Sequence, residues 1–296
     1  MSAFDFSGVI TALVTPFKNG DVDYRSFQRL VQSQLADGIE GFVVNGTTGE
    51  SPTLTIEEVH RLFEIAKGEA AGAVPVIVGT GLNSTTRTIE ATERAAVWGA
   101  DAALVVTPYY NKPPQRGLMA HFSAVADASR IPIILYNVPG RTITAISAET
   151  TGALSRHPQI IGIKEASGDL KHSAEVRRHS GSEFFLTSGD DATCVDFTLQ
   201  GGVGVISVVS HLIATPLRKL IERARAKDPT AAHDYKHFQS LVSGIYVESN
   251  PIPVKAALYI MGIIDSPELR LPLVSLEKDA LERLAKLLSE MGLVNG

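Results

Sequence analysis

Residues 74–106 read Val74-Pro75-Val76-Ile77-Val78, a polar turn Gly79-Thr80-Gly81, a stretch opened by Ser84 in which Ile89, Ala91, Ala95 and Ala96 favour helix, and a second apolar run, Ala102-Ala103-Leu104-Val105-Val106. Both runs are short and apolar on both faces, as strands covered by helices outside and packed within must be. A helix between two such strands makes them parallel neighbours. The unit recurs. Further apolar runs lie at 9–14, 41–44, 131–135, 160–163, 184–186 and 203–208, with a repeat of about thirty residues that shortens toward the end. Asp23 is placed to cap a helix carrying Phe27, Leu30, Val31 and Leu35 that Gly38 can end, and Thr55 with Glu58 has capping-box spacing. Eight such units predict an α/β fold, a (β/α)8 TIM barrel. The competitor is an open doubly wound sheet, which marks its nucleotide site with a Gly-rich turn after the first strand; that turn here is Thr15-Pro16-Phe17.

After Ser210 the alternation stops. Residues 215–226, 231–246, 253–261 and 276–291 read as helices, the first completing the barrel and the third reached through Asn250-Pro251-Ile252-Pro253. The expected organisation is a barrel over 1–226 and a C-terminal helical appendage over 227–296, parted near Asp228-Pro229.

The chain of 296 residues is 44% hydrophobic and 20% charged, enough apolar material for a large core. A formal net charge of −5 without a basic stretch argues against nucleic acid as a partner. The single cysteine, Cys194, forms no internal disulfide and no paired-thiol motif; it reads as a small buried apolar residue. The N-terminus lacks an export signal, and the longest apolar stretch, around 256–264, is interrupted by Gly262 and falls short of the ~20 residues that span a bilayer. No membrane segment is expected, and the cytoplasm is the expected compartment.

In such a barrel the reactive groups stand at the C-terminal ends of the strands. Here these are Thr15-Pro16, Asn45-Gly46-Thr47-Thr48-Gly49-Glu50, Gly79-Thr80-Gly81, Thr107-Pro108-Tyr109-Tyr110-Asn111, Tyr136-Asn137-Val138-Pro139-Gly140-Arg141, Lys164-Glu165-Ala166-Ser167, Ser188-Gly189-Asp190-Asp191 and Ser207-Val208-Val209-Ser210. Hydroxyls and tyrosines dominate and metal-ligand clusters are missing. Proton relay with a covalent amine is therefore favoured, with no metal and no cofactor. Lys164 ends the run Ile160-Ile161-Gly162-Ile163. Burial disfavours an ammonium, and a neutral amine condenses with a ketone or aldehyde to a Schiff base. The plainer alternative is an ion pair with Glu165 or Asp190, or a side chain that snorkels to solvent.

Gly46-Thr47-Thr48-Gly49 offers two hydroxyls and a turn of N–H groups that can hold a carboxylate, or it is an ordinary strand-to-helix loop. Tyr136 and Tyr110 can pass protons or simply pack. Arg141 can clamp a carboxylate or lie on the surface. His233 and His237 have metal-compatible spacing without a third ligand and read as a solvated helix face; Gly201-Gly202-Val203-Gly204 reads as a tight turn. Asp190 and Asp191 read as helix caps.

Taken in order, Gly46-Thr47-Thr48-Gly49-Glu50-Ser51, Val106-Thr107-Pro108-Tyr109-Tyr110-Asn111, Leu135-Tyr136-Asn137-Val138-Pro139-Gly140-Arg141-Thr142, Gly162-Ile163-Lys164-Glu165-Ala166, Ser188-Gly189-Asp190-Asp191 and Asn250-Pro251-Ile252-Pro253-Val254-Lys255 resemble the dihydrodipicolinate synthase family of pyruvate-dependent class I aldolases, over essentially the whole chain. The resemblance implies a lyase of diaminopimelate and lysine biosynthesis that condenses pyruvate with L-aspartate-4-semialdehyde. It implies that Lys164 forms the Schiff base and that Tyr136, Thr47 and Tyr110 relay protons, Tyr110 from a neighbouring subunit of a homotetramer or homodimer. Thr47 and Thr48 then bind the pyruvate carboxylate, Arg141 that of the semialdehyde, and Gly189 and Ile206 line the pocket of Lys164.

Relatives in the group cleave N-acetylneuraminate or keto-deoxy sugar acids on the same lysine; the Thr47-Thr48 pair and Arg141 favour the synthase. A catalytically silent barrel that binds a keto acid or a protein partner is the reading from another class. Lysine-sensitive bacterial members use a glutamate and histidines where this chain has Arg87, Ile56 and Val59, with Ser51, Asn83 and Tyr109 retained. Weak or absent inhibition by lysine is the expectation, because Arg87 repels the ligand's ammonium.

Overall fold

The computed structural model describes residues 5–294; the outermost residues of the expected divisions, 1–4 and 295–296, lie outside them. Eight parallel strands close on themselves: β1 (Gly8–Ala12), β2 (Phe42–Val44), β3 (Val76–Gly79), β4 (Ala102–Val106), β5 (Ile133–Asn137), β6 (Ile160–Glu165), β7 (Phe185–Ser188) and β8 (Gly204–Ser207). Each pairs with its successor, and β8 returns to β1 with Gly204 opposite Gly8. The expected (β/α)8 barrel is the fold.

Its two faces follow from strand alternation. In β3, Ile77 points into the barrel among Ile10, Val43, Leu104, Ile134 and Ile206, while Val76 and Val78 face an outer layer with Phe27, Leu30, Leu62 and Phe63 from the helices Tyr24–Ala36 and Ile56–Ala70. Burying each of these aliphatic or aromatic side chains contributes about 1.5–3 kcal/mol. The caps fall where the sequence puts them. Asp23 accepts from the Ser26 N–H, and Thr55 and Glu58 form a reciprocal capping box. Ser84 caps Thr85–Trp98, which Gly99 ends in left-handed conformation at φ 90°.

Several strands end later than the apolar runs that mark them. β5, β6 and β7 continue through Tyr136-Asn137, Lys164-Glu165 and Thr187-Ser188, because backbone pairing to two neighbours holds a strand whatever its side chains. The helix expected from 215 starts at Ser210 and bends at Ile213 (φ −136°), three residues before Pro216, whose ring lacks an N–H and crowds the preceding turn. The helix expected over 231–246 is interrupted: Thr230–Tyr235 and Gln239–Ile245 are separated by a 3-10 turn, Lys236–Phe238. With Ile252–Ile260 and Lys278–Glu290 these helices pack on the barrel's outer layer. Leu241, Val254, Leu258, Leu284 and Leu288 share one buried cluster with Val209 and Leu217. Among the described residues no helix is long and apolar enough to cross a membrane.

Candidate active site

The strand that carries Lys164 contains an irregularity that decides where the amine points. Ile133 pairs with Ile160, but the next residue, Ile134, pairs with Gly162, so Ile161 is an extra residue in β6. Such a bulge reverses the inward–outward phase downstream. Ile163 consequently joins the outer core, and Lys164 lies level with inward-facing Tyr136. Gly162 is needed at the bulge, since a Cβ there would sit 2.5 Å from the Phe185 Cβ.

Lys164 is 6% exposed, and its Nζ stands 4.5 Å from the centre of the Tyr136 ring. Among the described residues it forms no ion pair. Glu165 faces the other way, accepting from Asn137 Nδ2 at 2.8 Å and the Ser167 N–H at 2.8 Å, with His172 Nε2 3.4 Å away. That carboxylate raises the His172 pKa by hydrogen bonding. Asp190 caps its own loop through the N–H and hydroxyl of Thr193. Neither the paired nor the snorkelling alternative describes this lysine.

Gly189 follows β7 directly against the amine's stem: a Cβ would lie 2.8 Å from Lys164 Cε and 2.6 Å from the Ala166 Cβ. Ile206, 1% exposed on β8, belongs to the barrel interior with Tyr136. Thr47 and Thr48 open a 3-10 turn, Thr47–Gly49, after β2. Their N–H groups are at a helix start, where no intrahelical acceptor exists. Thr48 is buried, and Thr47 half-buried. Arg141, on the short helix Pro139–Thr142, is exposed, and its Nη2 donates to the Asn250 carbonyl at 3.1 Å.

Tyr110 stands apart. In the loop after β4 it has φ 74° and is 88% exposed, and no hydrogen bond or ring contact joins it to Lys164, Tyr136 or Thr47 within the chain. A large aromatic held outward in left-handed backbone is strained and solvated to no benefit of the single chain. Nor do the Thr47 and Tyr136 hydroxyls bond to each other.

Three groups of the surrounding shell escape sequence reading. Asn250 Nδ2 donates to Thr48 Oγ1 at 2.9 Å. Two residues after Thr48, buried Glu50 accepts from Lys255 Nζ at 2.7 Å and from the Arg270 N–H at 3.1 Å; Lys255, fully buried, also lies over the Phe17 ring. Burial pulls the Lys255 ammonium down to about 8, against the upward pull of Glu50. Asp191, the second of the adjacent pair expected to cap, instead sits in the interior, accepting from Ser207 Oγ, the N–H groups of Val208 and Val209, and Tyr246 Oη. Its burial raises its pKa while these donors oppose the shift. Asn250 and Lys255 were visible as part of the Asn-Pro-Ile-Pro-Val-Lys string; the partners were not. Among the described residues no group of three or more His, Cys, Asp and Glu could hold a metal ion, and His233 and His237 make none.

A closed (β/α)8 barrel with an unpaired lysine buried on an inner strand beside a tyrosine is the arrangement of a Schiff-base-forming class I aldolase. The family model for the dihydrodipicolinate synthetase family matches residues 5–291. A 4-hydroxy-tetrahydrodipicolinate synthase of Bdellovibrio bacteriovorus is 51% identical over 290 residues, 97% of each chain. Among solved structures, a dihydrodipicolinate synthase of Thermotoga maritima superposes with TM-score 0.95 at 40% identity over 98% of this chain and 99% of that one. A chloride-inhibited dihydrodipicolinate synthase of Acinetobacter baumannii complexed with pyruvate does so with TM-score 0.95 at 40% identity, over 98% and 100%. The chain belongs to the dihydrodipicolinate synthetase family.

Proposed function

We propose that the protein condenses pyruvate with L-aspartate-4-semialdehyde to 4-hydroxy-tetrahydrodipicolinate, a step toward diaminopimelate and lysine, in the cytoplasm. The observation that carries this is Lys164, inward-facing, buried and, among the described residues, without a carboxylate partner. As its free amine it attacks the pyruvate ketone, and loss of water leaves an imine. A proton leaves the pyruvate methyl carbon, and the resulting enamine carbon attacks the semialdehyde's carbonyl. The semialdehyde's amine then closes the ring on the imine carbon and expels Lys164. Thr47 and Thr48 hold the pyruvate carboxylate, Arg141 that of the second substrate, and Gly189 and Ile206 leave room for the imine. Tyr136 and Thr47 pass protons, with Tyr110 completing the relay from a second copy in a homodimer or homotetramer. Its exposure supports that reading. Arg87, exposed on the helix Thr85–Trp98, makes inhibition by lysine weak or absent; sub-millimolar half-inhibition contradicts this.

Reduction with borohydride in the presence of pyruvate tests the proposal. The Lys164 peptide gains the mass of the reduced pyruvate adduct, and aspartate semialdehyde accelerates pyruvate consumption more than sugar-derived aldehydes do. No covalent mass at Lys164 means a silent barrel.

A further inference from the structure

One residue outside the barrel touches both groups assigned above to substrate carboxylates. Asn250 lies just before the helix Ile252–Ile260; its Nδ2 donates to Thr48 Oγ1 at 2.9 Å, and its main-chain oxygen accepts from Arg141 Nη2 at 3.1 Å. Thr48 is 3% exposed and Asn250 6%. A hydroxyl carries one hydrogen and two lone pairs. Here the amide occupies a lone pair, and among the described residues the Thr48 hydroxyl donates its own hydrogen to nothing. A buried O–H with no protein acceptor is open to a water or a ligand oxygen. The Asn250 Oδ1 is likewise sealed from solvent and without a partner among the described residues, so the bond to Thr48 is the one side-chain hydrogen bond that orients this amide. The segment is fixed to the same loop a second time by the Lys255–Glu50 ion pair, five residues after Asn250 and two after Thr48.

We propose that Asn250 is a positioning residue for the pyruvate-carboxylate subsite: its amide turns the Thr48 hydroxyl so that the hydrogen faces the substrate. The proposal rests on Thr48 binding that carboxylate. The helices C-terminal to the barrel then take part in substrate binding, not only in packing.

Truncating the side chain spares the carbonyl that Arg141 uses, which makes the test selective. In Asn250→Ala the pyruvate concentration that half-saturates borohydride trapping at Lys164, and the KM for pyruvate, rise roughly five- to tenfold. The KM for the semialdehyde and kcat stay within about twofold. In Asn250→Asp the rise is larger, because a carboxylate accepts the Thr48 hydrogen and repels the incoming anion. Should Asn250→Ala not melt cooperatively, Asn250→Ser carries the same measurement with the same expected direction. Half-saturation at the wild-type pyruvate concentration in folded variants overturns the proposal, as does a loss in kcat with both KM values unmoved. A wild-type protein that traps no pyruvate overturns the reading of Lys164 instead, and the proposal with it.

Discussion

Lys164 and Tyr136 are paired on adjacent strands, and the lysine Nζ lies 4.5 Å over the centre of the phenol ring and forms no hydrogen bond with its hydroxyl. Removing only the phenolic oxygen separates packing from proton transfer. Tyr136→Phe keeps the ring under the amine and is expected to lower kcat about a hundredfold or more while leaving the melting temperature near wild type; unchanged turnover would remove Tyr136 from the relay. Gly189 answers a steric question. Its missing Cβ is what lets the lysine stem and Ala166 approach. Gly189→Ala should destabilise the fold by about 1–3 kcal/mol and abolish the borohydride adduct, both read on one preparation by thermal melt and mass spectrometry.

The loop after β2 and the helix Ile252–Ile260 form a unit through the buried Lys255–Glu50 pair. Taking away one charge strands the other in the interior, whereas replacing both removes the debt. Lys255→Met should cost about 3–5 kcal/mol in urea unfolding, and adding Glu50→Gln should recover a large part of it. Additive losses would mean that the two groups do not interact. The bulge at Ile161 acts at the same level of organisation: one inserted residue turns the Lys164 amine from the helices to the barrel interior, and its mark in the sequence is Gly162 inside the apolar run.

Subunit sharing is a property of the assembly. If Tyr110 serves the neighbouring site, mixing Lys164→Ala with Tyr110→Phe protein, each nearly inactive, builds mixed dimers in which one site has both residues. Activity should reappear on mixing; none will if Tyr110 serves its own chain. Acid stability is another global quantity. His211 is buried with its ring nitrogens on the Val208 carbonyl and the Val14 N–H, and burial pulls it, like His121, down to about 4. Below about 6.5 the unfolded chain binds protons that these native rings refuse. Stability therefore falls as pH drops from about 6.5 to 4, by up to about 3 kcal/mol for each ring. His172 has the opposite sign: Glu165 raises it, so its contribution is complete below about 6.5 and disappears as pH rises through the native value. Urea midpoints across this range check the net fall, and His211→Gln should flatten it.

The alternation of apolar runs with capped helices fixed the barrel, because burial on two faces and a 3.6-residue period are written along the chain itself. Strand-end position likewise made Lys164, Tyr136 and the Thr47-Thr48 turn legible as a group. What stayed hidden are relations between distant residues: Ile161 against Ile133, Asn250 against Thr48 and Arg141, Lys255 against Glu50, Asp191 against Tyr246. Each rests on pairing register or on a hydrogen bond across many intervening residues, and neither leaves a local periodic trace. A lysine's character in the sequence is its type and its strand; whether it meets a carboxylate, a ring or open space is settled by the closure of the barrel around it.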